Sequence, residues 1–295
     1  MTNSTDSENL EARVSHVGAP PVVVAMVVHQ PCPWLEDVVA SIAGQDYPNL
    51  QTLFFLTGTT TAAGAETDVI RQSLPAAVIR QVEGNPGYGP LMNEVSRLVE
   101  GESGIFCFMH DDVALDGNAI SCMIEEMFRS NAGVVGPKIV MWDDISILQS
   151  VGLGADRIGD ISPNVEQGEK DQEQHDAVRD VFLIPSACML VRADLFRELG
   201  GFSPDIPLFG EDLDFCWRTH LSGARVLVVP AARARHRKEM DATRSVATMS
   251  ALEARHRVRT VATLSGRFQL PVVLVQLLLM AVARVVIGVF NGTLR

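Results

Sequence analysis

The stretch Phe106 to Asp116, "FCFMHDDVALD", decides how the chain is read. An apolar run of strand type stops abruptly at His110 and two adjacent carboxylates, Asp111 and Asp112. Neighbouring acids repel one another, and solvating them where a sheet ends costs free energy, so the pair calls for a cation or a ligand to hold. Upstream, "PVVVAMVV" (Pro21 to Val28) is a continuous apolar run, the pattern of a strand buried on both faces. Pro33 and Trp34 then open a helix through Ala43. "TLFFL" (Thr52 to Leu56) and "AAVIRQV" (Ala76 to Val82) read as further strands, and Pro90 to Glu100 as a helix with proline at its start. Downstream, Asn118 to Ser130 is helical and "GVVGPKIVM" is strand again. Such alternation predicts an α/β domain on a mainly parallel central sheet flanked by helices. Ligands bind such sheets at the carboxyl ends of the strands, where the acidic pair lies.

The second half is less regular. Trp142 to Asp180 is polar, acidic and glycine-dotted, and reads as a long, mobile loop or flap. "VFLIPSACMLV" (Val181 to Val191) is strand-like, and "RADLFRELGGF" is a short helix ended by Gly200 and Gly201. "EDLDFCWRTHLSGARVLVVP" is a helix, a glycine turn and a strand. Neither a G-x-x-x-x-G-K phosphate loop nor a G-x-G-x-x-G after the first strand is present.

With 295 residues the chain has ample core, and a formal net charge of -12 argues against wrapping nucleic acid through a basic surface. The five cysteines show no paired spacing, which fits a reducing compartment. Residues 1–19 are polar and acidic and read as a disordered leader. Residues 241–295 read as a basic linker followed by an apolar helix from Leu270 to Phe290, "LPVVLVQLLLMAVARVVIGVF", interrupted by Gln276 and Arg284. That length approaches a membrane span, and the arginines before it (Arg255, Arg257, Arg259, Arg267) would keep the main domain, residues 20–240, on the cytoplasmic face of the cell membrane. An amphipathic or buried helix is the plainer alternative.

Three constellations could carry chemistry. A strand-end acid pair such as Asp111 and Asp112 suits Mg²⁺ or Mn²⁺ bridged to substrate phosphates, although it could equally cap the following helix. "LFGEDLDFCWR" places Glu211, Asp212 and Asp214 in a helix's first turn, where acids also occur for dipole reasons alone. There Asp214 and Arg218 suit an i,i+4 ion pair, and one of the other acids suits a general base. His236, in "ARARHRKE", matters only if the fold returns it to the acid pair, where imidazole could complete a Mn²⁺ shell.

Read in order, these motifs resemble the inverting, nucleotide-sugar-dependent glycosyltransferases of family 2, over about Val22 to His236. "PWLEDVVASIAGQDYPNLQTLFF" resembles that family's first helix, Q-x-Y-P-N turn and second strand. "EGNPGYGPLMNE" is similar to its N-x-G segment, and "FMHDDVALD" sits where the family has a D-x-D metal motif. "ACMLVRADLFRELGGFSPDIPLFGEDLDFCWRTHLSGARVLVVPAARARH" matches its acceptor-side block in order and spacing.

The resemblance implies a GT-A fold, Rossmann-like, with a C-terminal apolar helix, and it assigns roles. Asp112, with His236 as a further ligand, would hold Mn²⁺ or Mg²⁺ on the donor diphosphate. Asn85, Gly87, Asn93 and Asp111 would line the nucleotide sugar. Asp212 would be the general base, with Glu211 orienting it or the acceptor. The implied reaction is transfer of a hexosyl or deoxyhexosyl group, with inversion, to a hydroxyl of a glycan or lipid-linked acceptor, as in cell wall polysaccharide synthesis. Two positions depart from the family: "LTGTTTAAG" (Leu56 to Gly64) lacks the usual acid, and His110 stands first in the metal motif. They motivate the alternative of an inactive nucleotide-binding scaffold in a membrane assembly. A metal-assisted phosphoryl-transfer enzyme would leave the acceptor-side block unexplained.

Overall fold

The computed structural model describes residues 18–29, 32–58, 63–99, 104–238 and 246–290. Most of the expected leader, and the 59–62 part of the Thr-rich turn, lie outside them.

The first half is the α/β alternation that the sequence predicts. Strands β1 (Val22–Val28), β2 (Leu50–Thr57), β3 (Val78–Val82) and β4 (Ile105–His110) are all parallel, in the order β3-β2-β1-β4. Between them run helices α1 (Leu35–Ala43), α2 (Ala63–Ser73) and α3 (Tyr88–Leu98). α2 has no counterpart among the elements the sequence predicts; of its described side chains only Ile70 is a fully buried apolar one, so its periodic signal is weak. Registers pair Val28 with Leu56 and Val27 with His110, so the carboxyl ends of β1, β2 and β4 form one edge.

After β4 the chain makes a tight turn through Asp111 and Asp112 into the short β5 (Val113–Leu115), then α4 (Ala119–Arg129) and β6 (Ala132–Met141). The sheet closes through β11 (Cys188–Arg192) and β12 (Arg225–His236), β11 lying antiparallel between β4 and β6, and β12 parallel to β6. Only the end of Val181 to Val191 becomes strand, because Pro185 cannot donate to a ladder. Helices α5 (Ala193–Glu198) and α6 (Glu211–Leu221) separate β11 from β12.

β1 shows why this sheet is two-sided. Val22, Val24, Met26 and Val28 pack with Leu35, Val38 and Ile42 of α1 and Ile120 and Met123 of α4. Val23 and Ala25 face the other way, toward Leu91, Met92 and Val95 of α3 and Phe196, Phe202 and Phe215. Successive side chains alternate faces and both faces are covered, so an uninterrupted apolar run results. Each valine removed from water contributes about 1.5–3 kcal/mol.

Two expectations are corrected. Trp142 to Asp180 is not a free flap: it contains the short strands β7 (Leu148–Ser150), β8 (Leu153–Ala155), β9 (Ile161–Pro163) and β10 (Arg179–Asp180), with β7 paired to β6 and β10 to β12. Its acidic residues have a partner in the sheet, since Lys138 of β6, nearly buried, reaches Asp171 at 2.7 Å and Asp176 at 2.6 Å. A buried ammonium needs such carboxylates, and they tie the segment down. The basic stretch read as a linker is helical from Val246, forming α7 (Val246–Leu264), which packs on α6; α8 (Leu270–Phe290) follows it.

Candidate active site

Two groups of side chains meet at the carboxyl edge of the sheet. The first is made by strand pairing. β5 runs antiparallel to the end of β12, so that Val113 pairs with His236, and the Arg237 N–H donates to the Asp112 carbonyl at 3.1 Å. His236 is thereby returned to the acid pair. His110, Asp112 and His236 each offer one ligand atom, all within 4.8 Å of one another. The expected ligands Asp112 and His236 are therefore together, and His110, which replaces an acid in the family pattern, joins them.

Gln149 of β7 fixes the tautomer of His236. Its Nε2 donates to the His236 carbonyl at 3.3 Å, which turns its Oε1 toward His236 Nδ1, 2.7 Å away. Nδ1 then donates to that amide oxygen, and Nε2 is the ring nitrogen turned toward the acid, 3.3 Å from Asp112 Oδ1. Burial lowers the pKa of His110 to about 4, with the Asp112 charge opposing, which keeps its imidazole in the neutral, ligating form. Two imidazoles and a carboxylate, one imidazole oriented by an amide, fit a divalent transition ion better than a purely oxygen-seeking one. Arg237 walls this side, its guanidinium 4.9 Å from the Trp34 ring centre and 5.8 Å from that of Trp142.

The second group starts α6. Gly210 precedes the helix in a left-handed conformation (φ 96°), and Glu211 and Asp212 follow. Asp212 Oδ1 accepts the Leu213 N–H at 2.8 Å and Oδ2 the Ser186 N–H at 3.4 Å. Burial raises its pKa while these backbone donors oppose the shift. Glu211 lies deeper, 3% exposed; its Oε1 accepts the Ser186 hydroxyl at 2.8 Å, and Oε2 has no hydrogen-bond partner among the described residues. Burial, then the neighbouring Asp212 charge, raises the Glu211 pKa to about 7, so near neutrality Glu211 holds a proton readily. Asp212 is the more accessible of the two.

Ser186 joins the groups. Besides Glu211 and Asp212 it reaches His110 Nε2 at 3.4 Å, and its carbonyl accepts the Tyr88 hydroxyl at 3.0 Å. Neither Ser186 nor Gln149 is marked in the sequence by any motif; each acquires its role only through contacts with distant residues. Asp214 and Arg218 make the expected i,i+4 ion pair, with bonds of 2.6 and 2.9 Å, and Trp217 packs edge-on against Phe182.

The residues expected to line the nucleotide sugar are divided. Asn85 lies within 3.2 Å of His29, whose Nδ1 bonds Thr57 at 2.9 Å, at the ends of β1 and β2. Asp111 is there too: its carboxyl accepts a backbone bond from His29, and burial followed by the Asp112 charge raises its pKa to about 7. Gly87 and Asn93 are occupied in packing. Gly87 (φ 101°) lies so close to Pro207 that a Cβ would stand 2.5 Å from its carbonyl oxygen. Asn93 exchanges two bonds with the Phe202 backbone, at 2.8 and 2.9 Å.

A mainly parallel sheet with a ligand cluster and an acid pair at its carboxyl edge defines an α/β protein of the GT-A type. The chain belongs to glycosyltransferase-like family 2, whose profile matches residues 20–263. Three solved structures share the fold. One is GalNAc-T7 with UDP, GalNAc and Mn²⁺, with a TM-score of 0.62 and 13% identity over 75% of this chain and 44% of that one. Another is the mannosyltransferase PcManGT from Pyrobaculum calidifontis with GDP-Man and Mn²⁺, with a TM-score of 0.59 and 16% identity over 88% and 69%. The third is TarS of S. aureus, with a TM-score of 0.53 and 14% identity over 80% and 42%. Among curated proteins, the pre-mycofactocin glycosyltransferases of two Mycobacterium tuberculosis strains are 39% identical over 56 residues, which is 19% of this chain and 12% of theirs.

Proposed function

We propose that this chain is a metal-dependent, inverting glycosyltransferase that moves a sugar from a nucleotide-sugar donor to a hydroxyl of a glycan or lipid-linked acceptor. The observation that carries the reading is the joining, through Ser186, of the His110, Asp112 and His236 cluster to the Glu211 and Asp212 pair at one sheet edge. His110, Asp112 and His236 would hold Mn²⁺ or Mg²⁺, which when bound offsets the charge developing on the departing nucleoside diphosphate. Asp212, fixed by two backbone donors, takes the proton of the acceptor hydroxyl as that oxygen attacks the anomeric carbon. A single displacement inverts that centre and needs no covalent nucleophile. Glu211 is too buried to meet substrate and sets the electrostatics of Asp212. The membrane part of the reading is supported by α8, among the described residues the one helix long and apolar enough to cross a bilayer, with Leu278 and Leu279 64% and 63% exposed. It would hold the domain on the cytoplasmic face, next to a lipid-linked acceptor.

The test is nucleoside diphosphate release from a panel of nucleotide sugars with Mn²⁺ or Mg²⁺, using the parent, Asp112→Asn and Asp212→Asn. Metal-dependent release from one donor, lost in Asp112→Asn, is expected. Nucleotide binding without turnover, unchanged in Asp212→Asn, would establish the scaffold alternative instead.

A further inference from the structure

We propose that His256, on α7, is a positioning residue for the catalytic turn: its imidazole latches the Phe209–Gly210 turn that aims Asp212 into the site. The inference rests on the reading of Asp212 as general base and adds a part of the chain outside the carboxyl edge.

The turn needs a latch. Phe209 has φ 61° and Gly210 φ 96°, two successive residues in the left-handed region immediately before α6. Glycine adopts this conformation freely, whereas phenylalanine does so only when its surroundings impose it. If Phe209 relaxed to the right-handed or extended region, the chain would enter α6 from another direction, and Glu211 and Asp212 would swing away from the Ser186 donors.

α7 supplies the restraint. His256 is 2% exposed and its Nδ1 lies 2.7 Å from the Phe209 carbonyl oxygen. A carbonyl only accepts, so Nδ1 carries the proton and donates. The helix lies so near the turn that a Cβ on Gly210 would stand 3.3 Å from His256 Cβ. One turn further on, the fully buried Thr260 has its hydroxyl 3.5 Å from Asp214 Oδ1. Asp214 is itself held by Arg218, and Arg218 also bonds the Leu199 carbonyl at 2.8 Å. The flanks of α7 are pinned by ion pairs from Arg257 to Asp160 and from Arg259 to Asp205, and Val261 is buried against Gly159. A histidine that only filled space would not need its ring nitrogen on the one carbonyl that fixes a strained residue.

The experiment uses the full chain and three variants: His256→Leu, which fills the space without a donor, His256→Asn, which returns an N–H donor near the Nδ1 position, and Asp212→Asn. Transfer kinetics are read beside hydrogen exchange at the amides of residues 210–214. His256→Leu is expected to lower kcat by about tenfold or more with the donor KM unchanged, and to speed exchange across those amides. His256→Asn is expected to restore most of both. The proposal is overturned if His256→Leu keeps the parent kcat, or if the Asn and Leu variants lose activity and thermal stability to the same extent. Failure of the underlying reading looks different. Asp212→Asn would then remain active, while the exchange response to His256→Leu and its rescue by Asn would still report whether the turn is latched.

Discussion

The two halves of the site are held in place by different means. The ligand half is a product of sheet register: β4 delivers His110, the following turn delivers Asp112, and antiparallel pairing of β5 with β12 brings His236 beside them. Backbone ladders set these positions, so each ligand's place is independent of the side chains of the others. The base half has no ladder. Glu211 and Asp212 begin a helix after a left-handed turn; Ser186 bonds both of them, the Leu213 N–H bonds Asp212, and His256 bonds the Phe209 carbonyl of the turn. A half built by register should lose only what a deleted side chain itself does. A half built from side-chain bonds should also lose its geometry.

The largest effect expected is at the base. Asp212→Asn keeps the shape and the Ser186 N–H contact but removes proton acceptance, so kcat should fall by about 10²–10⁴-fold with donor KM little changed. A fall below about tenfold would mean that proton transfer does not depend on this half of the site. On the ligand half, Gln149→Leu tests the claim that register alone places His236. The ring should stay where β12 puts it but lose its tautomer control, raising the Mn²⁺ concentration needed for half-maximal activity by about 10–100-fold without changing the melting temperature. A large loss of thermal stability would show that Gln149 holds the strand as well as the proton, and the contrast between the halves would weaken.

The same contrast explains what was legible in the sequence. β1 and β4 announce themselves as unbroken apolar runs because both faces of the sheet are covered, and the acids after β4 stand out because they end such a run. The left-handed Gly210 and the acids after it are also visible, as a glycine followed by charges. Ser186 and Gln149 are ordinary polar residues whose meaning comes from contacts 25 and 87 residues away. His256 escaped for a similar reason: its helix reads as a basic stretch because the arginines around it pair with Asp160 and Asp205, acids that lie far off in the chain. The roles of Asn93 and Gly87 show the opposite case. A motif marks them, yet in the fold they brace the segment around Phe202 and Pro207.

The smallest effect, and the most discriminating, concerns pH. Burial and the Asp212 charge raise the Glu211 pKa to about 7, and the Ser186 hydroxyl is one of the groups that pull it back down. Activity requires a carboxylate to accept the acceptor's proton, so the acid limb of the kcat profile should report this coupled pair. Ser186→Ala removes a donor to the ionised form and should move that limb to higher pH by up to about one unit, roughly 1.4 kcal/mol, with little change well above it. The shift also predicts how stability responds. Between about pH 4.5 and 7 the unfolded chain has released the Glu211 proton while the folded chain retains it, so this residue makes the fold less stable as pH rises through that window. Glu211→Gln should flatten that part of the stability curve, as followed by denaturant unfolding at several pH values. A curve left unchanged by Glu211→Gln would mean that the pair titrates elsewhere, and the base half would then owe its pH dependence to another group.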